Sequence, residues 1–391
     1  MSDSLYITST TFRAGKAVVA LGTLEAVARK VGRVGLFRPI VDREDGYDSL
    51  IELLADRYRV GVDHAVGLTY QQAAAFIDDG DTSRLVAHLV DEFNRMKEDY
   101  DFVLVVGTDF TGPSAFRELG LNATLAANMG APVLAVINGY QLDETSILAA
   151  TDSSANLLTE RGCTIVATIV NRVAPGLVEH LRARVAEEPH RFPIYVLRDL
   201  PVLSAVTVEE VAAGLHGEVL VGGPDSLQRE VDAFLAGSGH LQTLLPMLTD
   251  GALVVASGDR ADLAVGAAAS ALSREMPTPS AVLLTCGLRP DPMTLSLLVA
   301  SGVPVVAVED DTYQTLRVLE GLRGEIRATS RRKIAAALGE FASAVDLDEL
   351  TSRIELSHPT VVTPLMFQFT LLERARSDRR RIVLPEGTDE R

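Results

Sequence analysis

An α/β architecture is what the sequence predicts: a parallel-sheet domain of the phosphate-loop (P-loop) type, followed by a smaller α/β domain. Three observations carry this. Short β-branched apolar runs recur between longer helical stretches; a strand, a tight loop and a helix headed by Gly-Lys open the chain; and a second series of strand and helix patterns follows a Gly-Gly-Pro turn.

The runs Leu5 to Thr8, Arg33 to Phe37, Phe102 to Val106, Pro132 to Ile137, Thr164 to Val170 and Ile194 to Leu197 are dominated by apolar residues without strict alternation. Strands buried on both faces of a parallel sheet read this way. Between them, Arg84 to Lys97 places Leu85, Val86, Leu89, Val90 and Phe93 on one helical face. Glu218 to Val221 then runs into Gly222-Gly223-Pro224, a turn or hinge signature. Past it, strand-like Ala252 to Ala256, Ala281 to Thr285 and Val303 to Val308 alternate with helical Ala261 to Leu272, Met293 to Ser301 and Tyr313 to Leu322. The predicted domains are therefore 1–220, 221–345 and 346–391, the last a helical linker leading into the start of a further domain.

With 391 residues, 47% hydrophobic and 23% charged, the chain can bury more than one core. Its formal net charge of −17 disfavours nucleic acid and anionic membranes as partners. The basic cluster Arg374, Arg376, Arg379, Arg380 and Arg381 is short, and reads as a solvated helix end. Cys163 and Cys286 stand far apart, outside any metal-ligand spacing, and no signal peptide or bilayer-spanning run occurs. A cytoplasmic protein without a metal site is the expectation.

Ser9-Thr10-Thr11-Phe12-Arg13-Ala14-Gly15-Lys16-Ala17 joins the first strand to a helical stretch. In a P-loop, amide groups and a lysine at the helix head cradle phosphates. Ser9 or Thr10 replaces the opening glycine, and Ala17 stands where a hydroxyl would hold magnesium, so nucleotide hydrolysis is not expected. Gly15 and Lys16 either form an anion site or simply start a helix. Asp109, after the strand Phe102 to Val106, is either a metal-orienting acid or a loop cap. Asn171, after Thr164 to Val170, either meets a purine edge or satisfies loop backbone.

Ile7 to Lys16, Phe37-Arg38-Pro39-Ile40 and Val170-Asn171-Arg172 together resemble the dethiobiotin-synthetase-like P-loop family. That family has a lysine before the second-strand proline, where this chain has Arg38. The resemblance implies that Asn171 helps read a base, and that Gly15, Lys16, Arg38 and Asn171 are the cofactor-binding candidates. Leu203-Ser204-Ala205-Val206-Thr207-Val208-Glu209-Glu210-Val211, Gly258-Asp259-Arg260 and Thr285-Cys286-Gly287-Leu288-Arg289-Pro290 resemble the DRTGG domain of long phosphate acetyltransferases and the junction before it. Cys286 replaces a residue that is usually glycine; Asp259 reads as a helix cap and Gly287 as a turn glycine. Thr363 to Arg391 resembles the opening of the catalytic domain of the phosphate acetyltransferase family, an amphipathic helix, a basic turn and a strand Ile382-Val383-Leu384.

The resemblance implies a parent enzyme that moves an acetyl group between coenzyme A and phosphate, with this chain ending just inside the catalytic domain. No catalytic residue and no cofactor are expected here. The implied role is regulation and oligomerisation, with the parent's catalytic domain, further copies of the chain and a nucleotide or anionic effector as partners. A ligand-free scaffold and an ATP-dependent ligase are the alternatives; a working ligase needs a hydroxyl where Ala17 stands.

Overall fold

The computed structural model describes residues 3–11, 13–42, 48–78, 81–108, 115–187, 189–357 and 362–377. Two compact units divide the chain, one formed by 1–200 with 326–391 and the other by 201–325.

The first unit alternates strands and helices: β1 (Ser4–Ser9), α1 (Lys16–Val27), β2 (Val34–Val41), α2 (Ser49–Tyr58), β3 (Val66–Thr69), α3 (Tyr70–Asp78), α4 (Thr82–Asp99) and β4 (Phe102–Val106). It continues through α5 (Ala115–Met129), β5 (Val133–Asn138), α6 (Glu144–Glu160), β6 (Ile165–Val173), α7 (Pro175–Glu187) and β7 (Ile194–Arg198). The seven strands form one parallel sheet in the order β3-β2-β4-β1-β5-β6-β7. The six strands expected between Leu5 and Leu197 are all present. β3 escaped the reading because its four residues, VGLT, are too short to show a period.

Local chemistry explains the helices. Asp81 accepts from the Arg84 amide at 3.2 Å and starts α4, whose Leu85, Leu89, Phe93 and Met96 press into the sheet beside Phe37 and Val105. Unlike α4, α1 is apolar nearly all round, with Val18, Val19, Leu21, Leu24 and Val27 all buried. The sheet can cover only one side of such a helix.

The other side is covered by α15 (Arg331–Ala344), which packs along α1 and is followed by α16 (Leu347–Leu356) and α17 (Pro364–Ser377). The Phe341 ring occupies the place where a side chain at Gly22 would be, since a Cβ there would come within 2.1 Å of it. Arg198, at the end of β7, donates to the buried carboxylate of Glu340, from its backbone at 2.8 Å and from Nε at 2.9 Å.

The second unit contains α8 (Pro201–Ser204), β8 (Val206–Thr207), α9 (Val208–Gly214), β9 (Glu218–Val221), α10 (Pro224–Leu227), β10 (Glu230–Val231) and β11 (Ala233–Ala236). After these come α11 (Leu241–Leu244), β12 (Ala252–Ser257), α12 (Ala261–Ser270), β13 (Ala281–Thr285), α13 (Pro292–Ser301), β14 (Val305–Ala307) and α14 (Thr312–Gly321). Its main sheet runs β11-β12-β13-β14-β9, with β9 antiparallel at the edge. One apolar layer joins α12 and α13 to the sheet, and another joins α9 and α14 to its opposite face.

The predicted boundaries at 220 and 345 are corrected by these packings. β8 pairs with β10, and Val208 and Val211 enter the second unit's core, so that unit begins near 201. Gly222-Gly223 is a turn within it between β9 and α10. Residues 326–345 belong to the first unit, because α15 is what closes α1. The strand expected at Ile382 to Leu384, and Arg379 to Arg381 before it, lie outside the described residues. Among the described residues no helix is long and apolar enough to cross a membrane.

Replacing Phe341 by alanine opens a cavity over Gly22, and urea unfolding followed by far-UV circular dichroism should report a loss of about 3–5 kcal/mol. The thiols should separate as well. Burial pushes Cys163 up to about 11, whereas Cys286 is exposed. Mildly alkaline Ellman titration of the folded chain should therefore count one thiol, and a second only after denaturation.

Candidate functional site

The loop between β1 and α1 lies at the carboxyl edge of the first sheet, with β4 and β5 on either side of β1. Gly15 is the residue before α1 and takes a left-handed conformation, φ 83° and ψ 38°, with no side chain capping the helix. Two constraints select glycine there. An L-residue is strained at that φ, and a Cβ would fall 2.2 Å from Asn171 Nδ2.

Lys16 opens α1 yet is only 4% exposed. Its Nζ donates to the Thr108 carbonyl at 2.5 Å, just past the end of β4. Arg38 approaches the same strand exit, its Nη1 donating to the carbonyls of Val106 at 2.9 Å and Gly107 at 2.7 Å. Two cations thus meet three consecutive carbonyls. Nε of Arg38 pairs with Asp48 at 2.8 Å, and Asp48 also accepts from the Leu50 and Ile51 amides at the head of α2.

Behind Thr108 lies a buried polar group that the sequence reading missed. Asn122 accepts from the Tyr6 hydroxyl at 2.7 Å and from the Thr108 amide at 3.1 Å, while the Thr108 hydroxyl lies 3.3 Å from Glu118 Oε1. Burial holds the Tyr6 phenol well above its ordinary range, so it remains a donor. The available signal was Glu118 and Asn122, two polar residues one turn apart on α5.

Asn171 and Arg172 hold the loop from its other side. Asn171 Nδ2 donates to the Ala14 carbonyl at 2.8 Å, and Arg172 reaches the Arg13 carbonyl at 3.3 Å. The Arg172 guanidinium also pairs with Asp199 at 3.1 Å and lies 4.2 Å from the Tyr140 ring centroid. β6 does not end at Val170 as the sequence suggested. It runs to Val173 through a break in register, with Arg172 at φ 63°. That distortion aims both side chains at the loop.

The structure therefore gathers Gly15, Lys16 and Asn171 at one loop and sets Arg38 across the β4 exit from Lys16. Ala17 offers no oxygen to a metal at the head of α1. Asp109 lies outside the described residues. Among the described residues no group of three or more His, Cys, Asp and Glu is placed to hold a metal ion.

In the second unit, Cys286 and Gly287 are both left-handed, at φ 68° and 64°. This explains why glycine suits the position that Cys286 fills. Gly258 has no room for a Cβ, since the Leu288 carbonyl oxygen would be 2.0 Å away. Arg260, rather than the expected Asp259, is the residue before α12, and its guanidinium pairs with Asp262 at 2.9 Å.

Residues 3–210 match the family described as AAA domain, and residues 210–322 match the DRTGG domain. Among curated proteins the chain is similar to phosphate acetyltransferases. It is 35% identical to that of Nitratidesulfovibrio vulgaris and 28% identical to that of Synechocystis, over 100% of this chain and 57% of each relative. A third, from Pseudomonas aeruginosa, is 26% identical over 99% of the chain and 57% of the relative. The chain spans little more than half the length of these relatives.

Gly15→Ala should lower the unfolding free energy by about 1–3 kcal/mol in urea titration, from backbone strain and the clash with Asn171. Asn171→Ala combined with it should cost less than the sum of the two single changes, because the clash is then relieved.

Proposed function

The chain belongs to the AAA domain family, and from that premise we propose that these residues are a non-catalytic regulatory and oligomerisation region of a phosphate acetyltransferase. The parent reaction would exchange an acetyl group between coenzyme A and phosphate. In this reading the first unit senses an anionic metabolite or nucleotide, and the DRTGG unit contributes to assembly. The acetyltransferase relatives and the DRTGG match support the coarser part, a regulatory region of such an enzyme.

One observation carries the finer part. Lys16 is held at the head of α1, beside a left-handed Gly15, at a place where Ala17 provides no metal ligand. A helix N-terminus with a lysine favours an anion. Without a magnesium-holding hydroxyl it is suited to binding rather than to phosphoryl transfer.

An anion entering the loop would compete with the Thr108 carbonyl for Lys16 Nζ. Thr108 connects through Asn122 and Glu118 to α5, so occupancy would be felt beyond the loop. Arg38 and Asn171 would act chiefly by holding the walls, Arg38 on β4 and Asn171 on Ala14.

A second reading, the ligand-free scaffold, is favoured by the same contacts, because Thr108 and Asn171 already tie down Lys16 and the loop. Calorimetry separates the two. Titration of the chain with nucleotides, dinucleotides, phosphate and small carboxylic acids should give saturable heat with at least one. Lys16→Ala should weaken that binding about 10- to 100-fold, the loss of one charge-assisted hydrogen bond. Absence of heat with every probe would leave the scaffold standing. Turnover of ATP that Lys16→Ala abolishes would instead return the ligase reading.

A further inference from the structure

α2 carries a second face that the core does not use. Leu53 and Leu54 are buried in the first unit, whereas Ile51 and Ala55 line a groove of about 490 Å³ together with Val62 and Val66 of the stretch entering β3. The groove follows from how that stretch is held. The Gly61 amide donates to the Val34 carbonyl at 2.8 Å and the Gly61 carbonyl accepts from Leu36 at 3.1 Å, while the Ala65 amide closes a turn onto the Val62 carbonyl at 3.0 Å. His64, which also lines the groove, sits in that turn at a left-handed φ of 62°. Pinned to β2 in this way, the stretch stops short of α2, and the groove is the space between them.

Its polarity is one-sided. Asp48 and Glu52 line it as well, and the Glu52 amide donating to the Asp48 carbonyl at 3.3 Å sets them one helical turn apart, about 5–6 Å between Cβ atoms. No lysine or arginine is among the described residues that line it. The Asp48 side chain is only 10% exposed, and a carboxylate offers about four acceptor sites. Three are taken, by the Arg38 guanidinium at 2.8 Å and by the Leu50 and Ile51 amides at 2.9 and 3.2 Å. One remains for a donor.

The volume falls within the ~300–1,000 Å³ of small-molecule sites, whose walls are mostly apolar with a few placed polar groups. Two carboxylates in a concavity of a chain of net charge −17 repel anions and draw cations. A bare metal ion does not suit these walls: hard cations want six or more oxygens, and no described group of three or more His, Cys, Asp and Glu is placed to hold one.

We propose that this groove binds an organic cation, an aliphatic amine. Its ammonium, all donors and no acceptor, meets the open site on Asp48 and the Glu52 carboxylate, and its chain lies along Ile51, Ala55, Val62 and Val66. The site is separate from the phosphate loop and does not depend on its reading. The two are linked through one side chain, because Arg38 pairs with Asp48 and also holds the Val106 and Gly107 carbonyls beside Thr108. A cation on Asp48 competes with Arg38 there, which couples the groove to any anion held at Lys16; that coupling alone rests on the anion reading.

The experiment is calorimetric titration of the 391-residue chain with 1,4-diaminobutane, beside butane-1,4-diol, which has the same chain without charge. The diamine should bind saturably at one site per chain, and the diol at least about 10-fold more weakly, the difference a charge-assisted hydrogen bond makes. Glu52 is exposed, so Glu52→Gln should fold as the wild type does and weaken the amine about 10-fold. Ala55→Leu fills the groove with a good helix former and should abolish binding, with the circular dichroism spectrum and unfolding midpoint of the wild type retained. Absence of saturable heat with the diamine overturns the proposal. Binding that neither substitution weakens overturns it too, because the amine is then held by the chain's overall negative charge rather than in the groove. Neither result bears on the titrations of the phosphate loop, whose probes are anions.

Discussion

Much of the first unit follows from one constraint: α1 is apolar on nearly every side and must be covered twice. The sheet provides one cover through β1 and its neighbours, and the other has to come from elsewhere in the chain. It comes from α15, more than three hundred residues away in sequence, whose Phe341 ring occupies the space that Gly22 leaves empty. A side chain at position 22 would hold the two helices apart, and an alanine at 341 would leave a void between them. The first unit is therefore discontinuous in sequence while compact in space.

The same helix fixes the site. With α1 held on both flanks, its N-terminus can sit only at the carboxyl edge of the sheet, where the exits of β1, β4 and β6 meet. The β4 exit is tied at Thr108 by Lys16 and at Val106 and Gly107 by Arg38, while Asn171 of β6 ties the β1–α1 loop at Ala14. Carbonyls at the end of a parallel strand have lost their ladder partners and need donors. The cations that an incoming anion would recruit are the same groups that satisfy these carbonyls in its absence. A loop built this way can be a binding site and a structural joint at once, and binding then necessarily disturbs the joint.

The second unit shows the opposite economy. Its turns are crowded, with Gly258 against the Leu288 carbonyl and Cys286 in a conformation suited to glycine. On one face of its sheet, α12 and α13 together carry a single charged residue, Asp262. The turns at the strand ends are cross-bonded, the Cys286 amide donating to the Asp310 carbonyl at 2.8 Å and that of Gly287 to the Val308 carbonyl at 2.9 Å.

The strand series, the helix between Arg84 and Lys97 and the Gly15-Lys16 head of α1 were all legible in the sequence, because each is written in a contiguous pattern of apolar period or loop chemistry. The absence of a metal-holding hydroxyl at Ala17 was equally plain. The domain boundaries were not, because whether Ser330 to Leu356 forms a linker or a lid depends on what α1 lacks, and no local pattern records that. The duties of Arg38 and Asn171 were likewise undecided by residue type. A guanidinium or an amide can meet a ligand or a carbonyl equally well, and only the fold brought Val106, Gly107 and Ala14 within their reach. By itself the sequence determined most of the elements that form and the residue types that the loop presents. Tertiary structure decided which distant segment closes the core, and which backbone groups claim the cations first, because both depend on contacts between residues far apart in the chain.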